Sequence, residues 1–300
     1  MIDDIIYDCS LSDLELIECS SSGDYYLFSK TFSGKEFYFK DHMIGGISLL
    51  PGVACLELAR ASYGLLNEKS SFPNQIKNMT WLKPLLPTIQ QVFLKLEKKI
   101  NFWEFSLISG IGEKQILHNQ AQLTHTVLSH AQSINLEQLL QQKANKYSKS
   151  QFYKMGESLE AKLGPSFQGV KWIKLLNNYE SISYIRLPFV LDNNKSGRHF
   201  CWHPSMIDGA IQPAMIGSSL ANSLYEGWVY YPFTLTTMNI YIHGQFPLEC
   251  YTYVKNKTVK NSNIIKFDIV ISDIDGCKIA DFNNLLSIRK KKTPIANSIV

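Results

Sequence analysis

No CxxC pair, glycine-rich phosphate loop, GxSxG or GxGxxG occurs in the 300 residues. Their absence removes the common zinc-ribbon, thiol-redox, nucleotide-binding, α/β-hydrolase and dinucleotide-binding classes. The six cysteines (Cys9, Cys19, Cys55, Cys201, Cys250, Cys277) show no metal-ligand spacing and read as reduced thiols. Charge of one sign is scarce too: 30 basic residues against 26 acidic leave +4, too slight to argue for nucleic acid. The one basic run, Arg289-Lys290-Lys291-Lys292, reads as a solvated tail. No apolar run is long enough to span a bilayer, and Met1-Ile2-Asp3-Asp4 carries acid where a secretory signal needs base. The expectation is a cytoplasmic protein without membrane contact, in which the sequons at Asn78 and Asn256 are chance matches.

What is present is apolar content of 45%, enough for one large core or two ordinary ones. Strand-like runs fill the first part: Leu14 to Cys19, Tyr25 to Phe32, and Glu36 to Lys40 after a Ser33-Gly34-Lys35 turn. A helix after Pro51 carries Val53, Leu56, Ala59, Tyr63 and Leu66 at helical spacing, and four more strand-like runs lie between Ile76 and Val127. From about 129 to 150 the chain turns polar, and it then repeats the order: a helix opened by His203-Pro204 and strands to Ile288, the last two joined at Asp273-Ile274-Asp275-Gly276. One helix wrapped by a long antiparallel sheet, twice, predicts an α+β double hotdog, with an N-terminal unit 1–128, a linker 129–150 and a C-terminal unit 151–300. No residue-level repeat supports the duplication, which rests on element order; an ordinary pair of α+β domains is the alternative.

The centre of the first unit is Asp41 to Arg60, DHMIGGISLLPGVACLELAR. His42 follows a strand-like run and precedes two glycines, so it is expected in a loop that enters the helix. Gly45 and Gly46 admit positive φ, and Pro51 presets the helix start. The first helical amides, near Gly52 and Val53, have no partner within the helix and suit a carbonyl that becomes negative. Taken alone, a histidine packed on a glycine turn is the plain alternative for His42.

In the second unit, Asp208 and Gln212 stand four apart on one helix face among Ile207, Ala210, Ile211 and Met215. Apolar surroundings favour a neutral carboxyl, which can donate a proton. The plain alternative is an acid in the first helical turn, placed there by the dipole. His199 and His203 have a metal-compatible spacing, but Pro204 follows directly and no third ligand is near, so no metal is expected and His203 is read as capping or orienting the helix. His118, His125, His130 and His243 have no acidic or cysteine partner in the local sequence and are read as structural.

His42-x3-Gly46-x4-Pro51-Gly52, Gly164-Pro165-x-Phe167-Gln168-Gly169 and His203-Pro204-x3-Asp208-x3-Gln212 occur in that order over about 170 residues. Together with Tyr231-Pro232-Phe233, they resemble the signatures of the dehydratase domains of modular polyketide synthases, relatives of the fatty-acid-synthase dehydratases, across nearly the whole chain. The resemblance implies a hydro-lyase that removes water from a β-hydroxyacyl thioester, with His42 as base, Asp208 as acid, Gln212 holding Asp208, and the Gly52 amide bonding the enolate. Gly46, Pro51, His203 and Leu163 would complete a substrate-binding site at the junction of the two units. It further implies no cofactor of the domain's own, an acyl carrier protein whose phosphopantetheine arm brings the substrate, neighbouring synthase domains, a role in antibiotic-type biosynthesis, and a homodimer as one admissible assembly.

Four positions depart from the family pattern. Leu163 stands where a tyrosine precedes Gly-Pro, Glu160 where glycine is usual, Ala161 where there is another tyrosine, and Leu235 where tryptophan is frequent. The tyrosine before Gly-Pro is thought to hold the substrate hydroxyl, so Leu163 leaves pyran formation, double-bond shift and a silent docking domain as alternatives to dehydration. Asp208 argues for dehydration, because related double-bond-shifting domains generally lack the aspartate.

Overall fold

In the computed structural model, which describes residues 11–66, 73–128, 133–192, 200–221, 228–242, 244–258 and 262–291, two helices that are buried on nearly every side organise the chain. In the first half, β1 (Glu15–Cys19) and β2 (Tyr25–Thr31) lead to a helical turn α1 (Phe37–Lys40), then to β3 (His42–Ile44) and β4 (Ile47–Ser48). The central helix α2 (Ala54–Gly64) and strands β5 (Gln75–Trp81), β6 (Gln91–Lys98), β7 (Trp103–Ser109) and β8 (Ile116–Thr124) complete it. The second half runs α3 (Leu136–Gln141), β9 (Asn145–Ser148), α4 (Lys149–Ser158), β10 (Ala161–Leu163), β11 (Val170–Leu175), β12 (Glu180–Arg186), α5 (Phe189–Asp192) and α6 (Pro204–Gln212). It ends with β13 (Trp228–Ile240), β14 (Glu249–Asn256), β15 (Ile264–Ser272) and β16 (Lys278–Lys291).

Every strand pairing among the described residues is antiparallel, as expected of sheets that each wrap one helix. The two sheets meet edge to edge. β5 of the first half pairs with β13 of the second through Thr80↔Thr234, Met79↔Leu235 and Ile76↔Met238, and Gln75 Nε2 donates to Asn239 Oδ1 at 2.7 Å across the same line. The result is one 13-stranded ladder, β1-β2-β6-β7-β8-β5-β13-β16-β15-β14-β12-β11-β9. Within the span read as a linker, α3 and β9 form, β9 joins the ladder on β11, and Leu140 O accepts from Lys174 Nζ at 2.6 Å.

Two local expectations fail for physical reasons. Glu36 to Lys40 is a helical turn and not a strand. Phe37, Tyr38 and Phe39 are all buried, and a period of two would have turned one of them outward. Nor does His42 lie in a loop: it opens β3, whose hairpin with β4 pairs Ile44 with Ile47 and leaves Gly45 and Gly46 as a two-residue turn. Both glycines have positive φ (61° and 78°), the conformation a tight I′-type hairpin requires.

β10 adds to this hairpin from the other half, pairing Ala161 with Ile44 and Leu163 with His42. The residue before β10, Glu160, sits at φ 62°, and its carbonyl accepts from Gly45 N at 2.9 Å. The family's glycine at this position therefore has a backbone reason. Left-handed strain of about 1–2 kcal/mol at a side-chain-bearing residue exceeds the entropy cost of glycine. Glu160→Gly is expected to raise stability by ~0.5–1 kcal/mol, about 2 °C in Tm, measured by thermal unfolding; a fall in Tm would show that the glutamate side chain contributes more than the strain costs.

Among the described residues no helix is long and apolar enough to cross a membrane, and no group of three His, Cys, Asp or Glu is placed to hold a metal. His130, His199, His243 and the chain from Lys292 lie outside the described residues, and the side chains of Arg289 to Lys291 are likewise not described.

Candidate active site

His42 is buried at the start of β3, with its ring 5.3 Å from that of Phe167. Its Nδ1 lies 3.0 Å from Leu49 O. A carbonyl can only accept, so Nδ1 carries the proton and Nε2 of the neutral ring keeps its lone pair. Burial lowers the pKa of His42 below the ordinary 6.5, against the opposing pull of the Asp208 charge and the Leu49 carbonyl. At neutral pH the ring is a base with one free nitrogen.

Asp208 comes from α6 in the other half. His203 is the N-cap of that helix, its Nδ1 accepting from Ser205 N at 3.1 Å, and Pro204 occupies the first turn. Burial pushes His203 down to about 3, so it stays neutral and keeps the lone pair that the cap requires. One turn on, Asp208 Oδ2 accepts from Gln212 Nε2 at 2.7 Å. Desolvation raises the Asp208 pKa above 3.8, opposed by His42 and by the Gln212 bond. The same apolar environment thus moves the two groups toward a neutral base and a neutral acid.

They share a cavity of about 130 Å³ whose other walls are nearly all apolar: Ile44, Leu49, Val53, Leu159, Ala161, Leu163, Ile211, Met215 and Leu285, with Trp81 and Tyr231. Gly52 also lines it. Its carbonyl accepts from Trp81 Nε1 at 3.0 Å, and a Cβ there would lie 3.0 Å from that same nitrogen, so glycine permits the approach. Among the described residues no protein acceptor meets the N–H of Gly52 or Val53 at the start of α2. That is the usual state of a helix's first amides and leaves them free for a ligand oxygen.

Of the residues singled out in the sequence, the fold brings His42, Gly52, Leu163, Asp208 and Gln212 to one cavity. Gly46, Pro51 and His203 are not in its walls. Gly46 makes the β3–β4 turn, Pro51 O accepts from Ala54 N at 2.9 Å to begin α2, and His203 packs on Phe37 and Phe200 behind the α6 start. Each of the three shapes an element that carries the site.

Residues not singled out complete the frame. Asp41, next to His42, accepts from Ser166 N at 3.0 Å through Oδ2, and its carbonyl accepts from Gly164 N at 2.8 Å. A Cβ at Gly164 would lie 2.5 Å from the Asp41 carboxylate, so the glycine of the Gly-Pro signature is required by this close approach. Glu57, fully buried on α2, accepts from Arg60 Nε (2.6 Å) and Nη2 (2.9 Å) and from the backbone N–H of Cys201 and Trp202 (3.1 Å each). It ties the central helix of one half to the segment just ahead of α6 in the other. The sequence signal for that tie is a charged i,i+3 pair inside a helix buried all round.

A buried histidine and a carboxyl, carried by opposite halves of a double hotdog and lining one largely apolar cavity beside a helix N-terminus, fit the double-hotdog dehydratase class. The family description "Polyketide synthase dehydratase domain" matches residues 17–109, and "Polyketide synthase dehydratase N-terminal domain" matches 131–292, more than half of the chain. The chain belongs to the polyketide synthase dehydratase family, and dehydration of β-hydroxyacyl intermediates is the reaction this membership carries. It is 24% identical over 258 residues to polyketide synthase PksN of Bacillus subtilis (83% of this chain, 5% of that protein) and 28% identical over 226 residues to PksL of the same organism (71% and 5%). The chain thus spans about 5% of the length of these curated relatives. Its fold matches that of a trans-AT polyketide synthase dehydratase domain from Brevibacillus brevis with a TM-score of 0.80 at 24% identity, covering 95% of this chain and 100% of that one. The dehydratase domain of the CurJ module of curacin polyketide synthase gives 0.78 at 18% identity, with 93% and 96% covered.

Proposed function

We propose that the chain works as one domain of a polyketide synthase and dehydrates a β-hydroxyacyl thioester held on the phosphopantetheine arm of an acyl carrier protein. In this reading His42 Nε2 takes the proton from the α-carbon, and the electron pair of that C–H bond forms the α,β double bond as the β-hydroxyl leaves. Asp208 gives that hydroxyl its proton, so water departs, His42 ends as imidazolium and Asp208 as carboxylate, and proton return resets the pair. The N–H groups of Gly52 and Val53 bond the thioester oxygen as charge builds on it. The domain needs no cofactor of its own for any of these steps, and its place is the cytoplasm, where carrier and neighbouring synthase domains reside.

The observation that carries the reading is the pairing of His42 and Asp208 from different halves in one apolar cavity, with burial moving them toward the neutral forms that an elimination needs. Solved structures of like fold lend support: an aspartate-to-asparagine variant of the CurK dehydratase and histidine-to-phenylalanine variants of the CurJ and CurK dehydratases are inactive mutants of those proteins. The test is mass spectrometry of a β-hydroxybutyryl carrier protein incubated with the domain. Loss of one water is expected; an unchanged mass across a panel of chain lengths would remove the reading.

Leu163 is paired directly with His42, on the cavity wall. A tyrosine there would bring a hydroxyl beside the base without entering the closed core. Leu163→Tyr is therefore expected to fold and to keep or raise turnover, checked by the same assay and by circular dichroism; loss of the fold would place Leu163 in the core.

A further inference from the structure

The proton of a neutral carboxyl sits on one of two oxygens, and only one of them can serve a substrate in the cavity. The side chains behind Asp208 decide which. Gln212 Nε2 is 2.7 Å from Asp208 Oδ2 and 2.8 Å from Phe167 O. Gln212 Oε1 is 2.9 Å from the Tyr153 hydroxyl, which also lies 3.2 Å from Phe167 O and 2.9 Å from Val170 N. Two of these partners have a fixed sense. Phe167 O can only accept, so the amide nitrogen of Gln212 must face it; Val170 N can only donate, so it takes a lone pair of the Tyr153 oxygen. Tyr153 then has one proton to give, and the shorter contact, to Gln212 Oε1, receives it. A reversed amide would set two carbonyl oxygens 2.8 Å apart with no proton between them.

We infer that Tyr153, on α4, is a positioning residue for the acid: its hydroxyl holds Gln212 Oε1 so that Nε2 occupies Asp208 Oδ2, which leaves the carboxyl proton on Oδ1. Oδ1 has no hydrogen-bond partner in the protein among the described residues, and Asp208 borders the cavity. The chain of direction starts at a backbone N–H and ends at the oxygen that gives up the proton. Tyr153 is buried, and desolvation pushes its phenol far above the ordinary 10, so the hydroxyl remains a donor over the whole working range. The ring of Phe167, whose carbonyl anchors the acid side, also packs against His42, so one residue serves both networks.

This inference rests on the proposed dehydration, and its test has an arm that does not. Tyr153→Phe removes one oxygen, frees Gln212 to lose its hold on Oδ2, and is expected to lower kcat about tenfold with KM within about twofold, the effect of one buried hydrogen bond. Gln212→Leu should cost at least as much, and Tyr153→Phe placed on Gln212→Leu should add nothing, because Tyr153 acts only through that amide. Independently of turnover, a ¹³C NMR titration of Asp208, assigned against Asp208→Asn, should show the carboxyl protonating at higher pH in Tyr153→Phe, since the Gln212 bond that favours its charged form is weakened. Should Tyr153→Phe fail to fold, 3,5-difluorotyrosine at position 153 keeps the hydroxyl, strengthens its donation, and should move the titration the other way. Additive losses in the double variant, or an Asp208 titration that neither substitution moves, would overturn the inference and leave Tyr153 a packing residue. If the wild type does not dehydrate, the proposed reaction falls while the titration still decides the role of Tyr153.

Discussion

His42→Ala is expected to lower dehydration by ~10²–10⁴-fold, and Asp208→Asn by a similar factor, each with the fold retained. Neither side chain holds the structure together. Among the described residues His42 makes one hydrogen bond, to Leu49 O, and Asp208 one, to Gln212. The loss therefore falls on the rate and not on stability. The pH profile follows from the same two groups. His42 must be neutral to accept a proton, and burial lowers its pKa below 6.5; activity is lost as pH falls through that lowered value. Asp208 must be protonated to donate, and burial raises its pKa above 3.8; activity is lost as pH rises through that raised value. The expected profile is a bell with its acidic limb from the base and its basic limb from the acid, and because the two interact, the limbs belong to the pair. Measurement of kcat/KM against pH on a thioester mimic checks it. Wild-type turnover in His42→Ala would dismiss the histidine as the base.

The second large effect is on stability. Glu57→Ala is expected to cost about 3–5 kcal/mol, the usual size when one member of a buried ion pair is removed. The cause is the number of groups left behind: the Arg60 guanidinium, which is bidentate on the carboxylate, and the N–H groups of Cys201 and Trp202. At ~2–4 °C per kcal/mol for a chain of this size, Tm should fall by about 10 °C. Because Trp202 directly precedes His203, the cap of α6, the surviving folded fraction should also dehydrate more slowly. A Tm within 2 °C of wild type would mean that the pair is solvated and contributes little.

How much of this was legible in the sequence depends on whether a residue acts locally. Strands β5 to β8 and β14 to β16 could be read from alternation and turns, and the residues on helices could be read from spacing: Asp208 and Gln212, four apart, do face one cavity. The sequence shows that Gly45 and Gly46 admit positive φ, but the hairpin they turn reads there as a loop, since β3 and β4 have three and two residues and no periodicity to show. What could not be read lies in contacts of long sequence separation. Asp41 meets Ser166 across 125 residues, Tyr153 meets Gln212 across 59, and Glu57 meets Trp202 across 145. No local pattern encodes such pairs. The edge-to-edge union of the two sheets is of the same kind, because each half alone reads as a finished hotdog and the pairing of β5 with β13 shows them joined only in three dimensions.

The placement of β10 bears on how such a domain diversifies. Asp208 is carried by α6, a nine-residue helix buried on nearly every side, and His42 by β3, which is pinned between β4 and β10. β10 is three residues long and is held to the site by its register on β3. Glu160, Ala161 and Leu163, three of the four positions at which this chain leaves its family's pattern, lie on it or immediately before it, and Ala161 and Leu163 face the cavity. Substitution there is expected to reshape the cavity wall while leaving His42 and Asp208 in place, so β10 is the element whose exchange should change which acyl chain fits without changing the groups that face it.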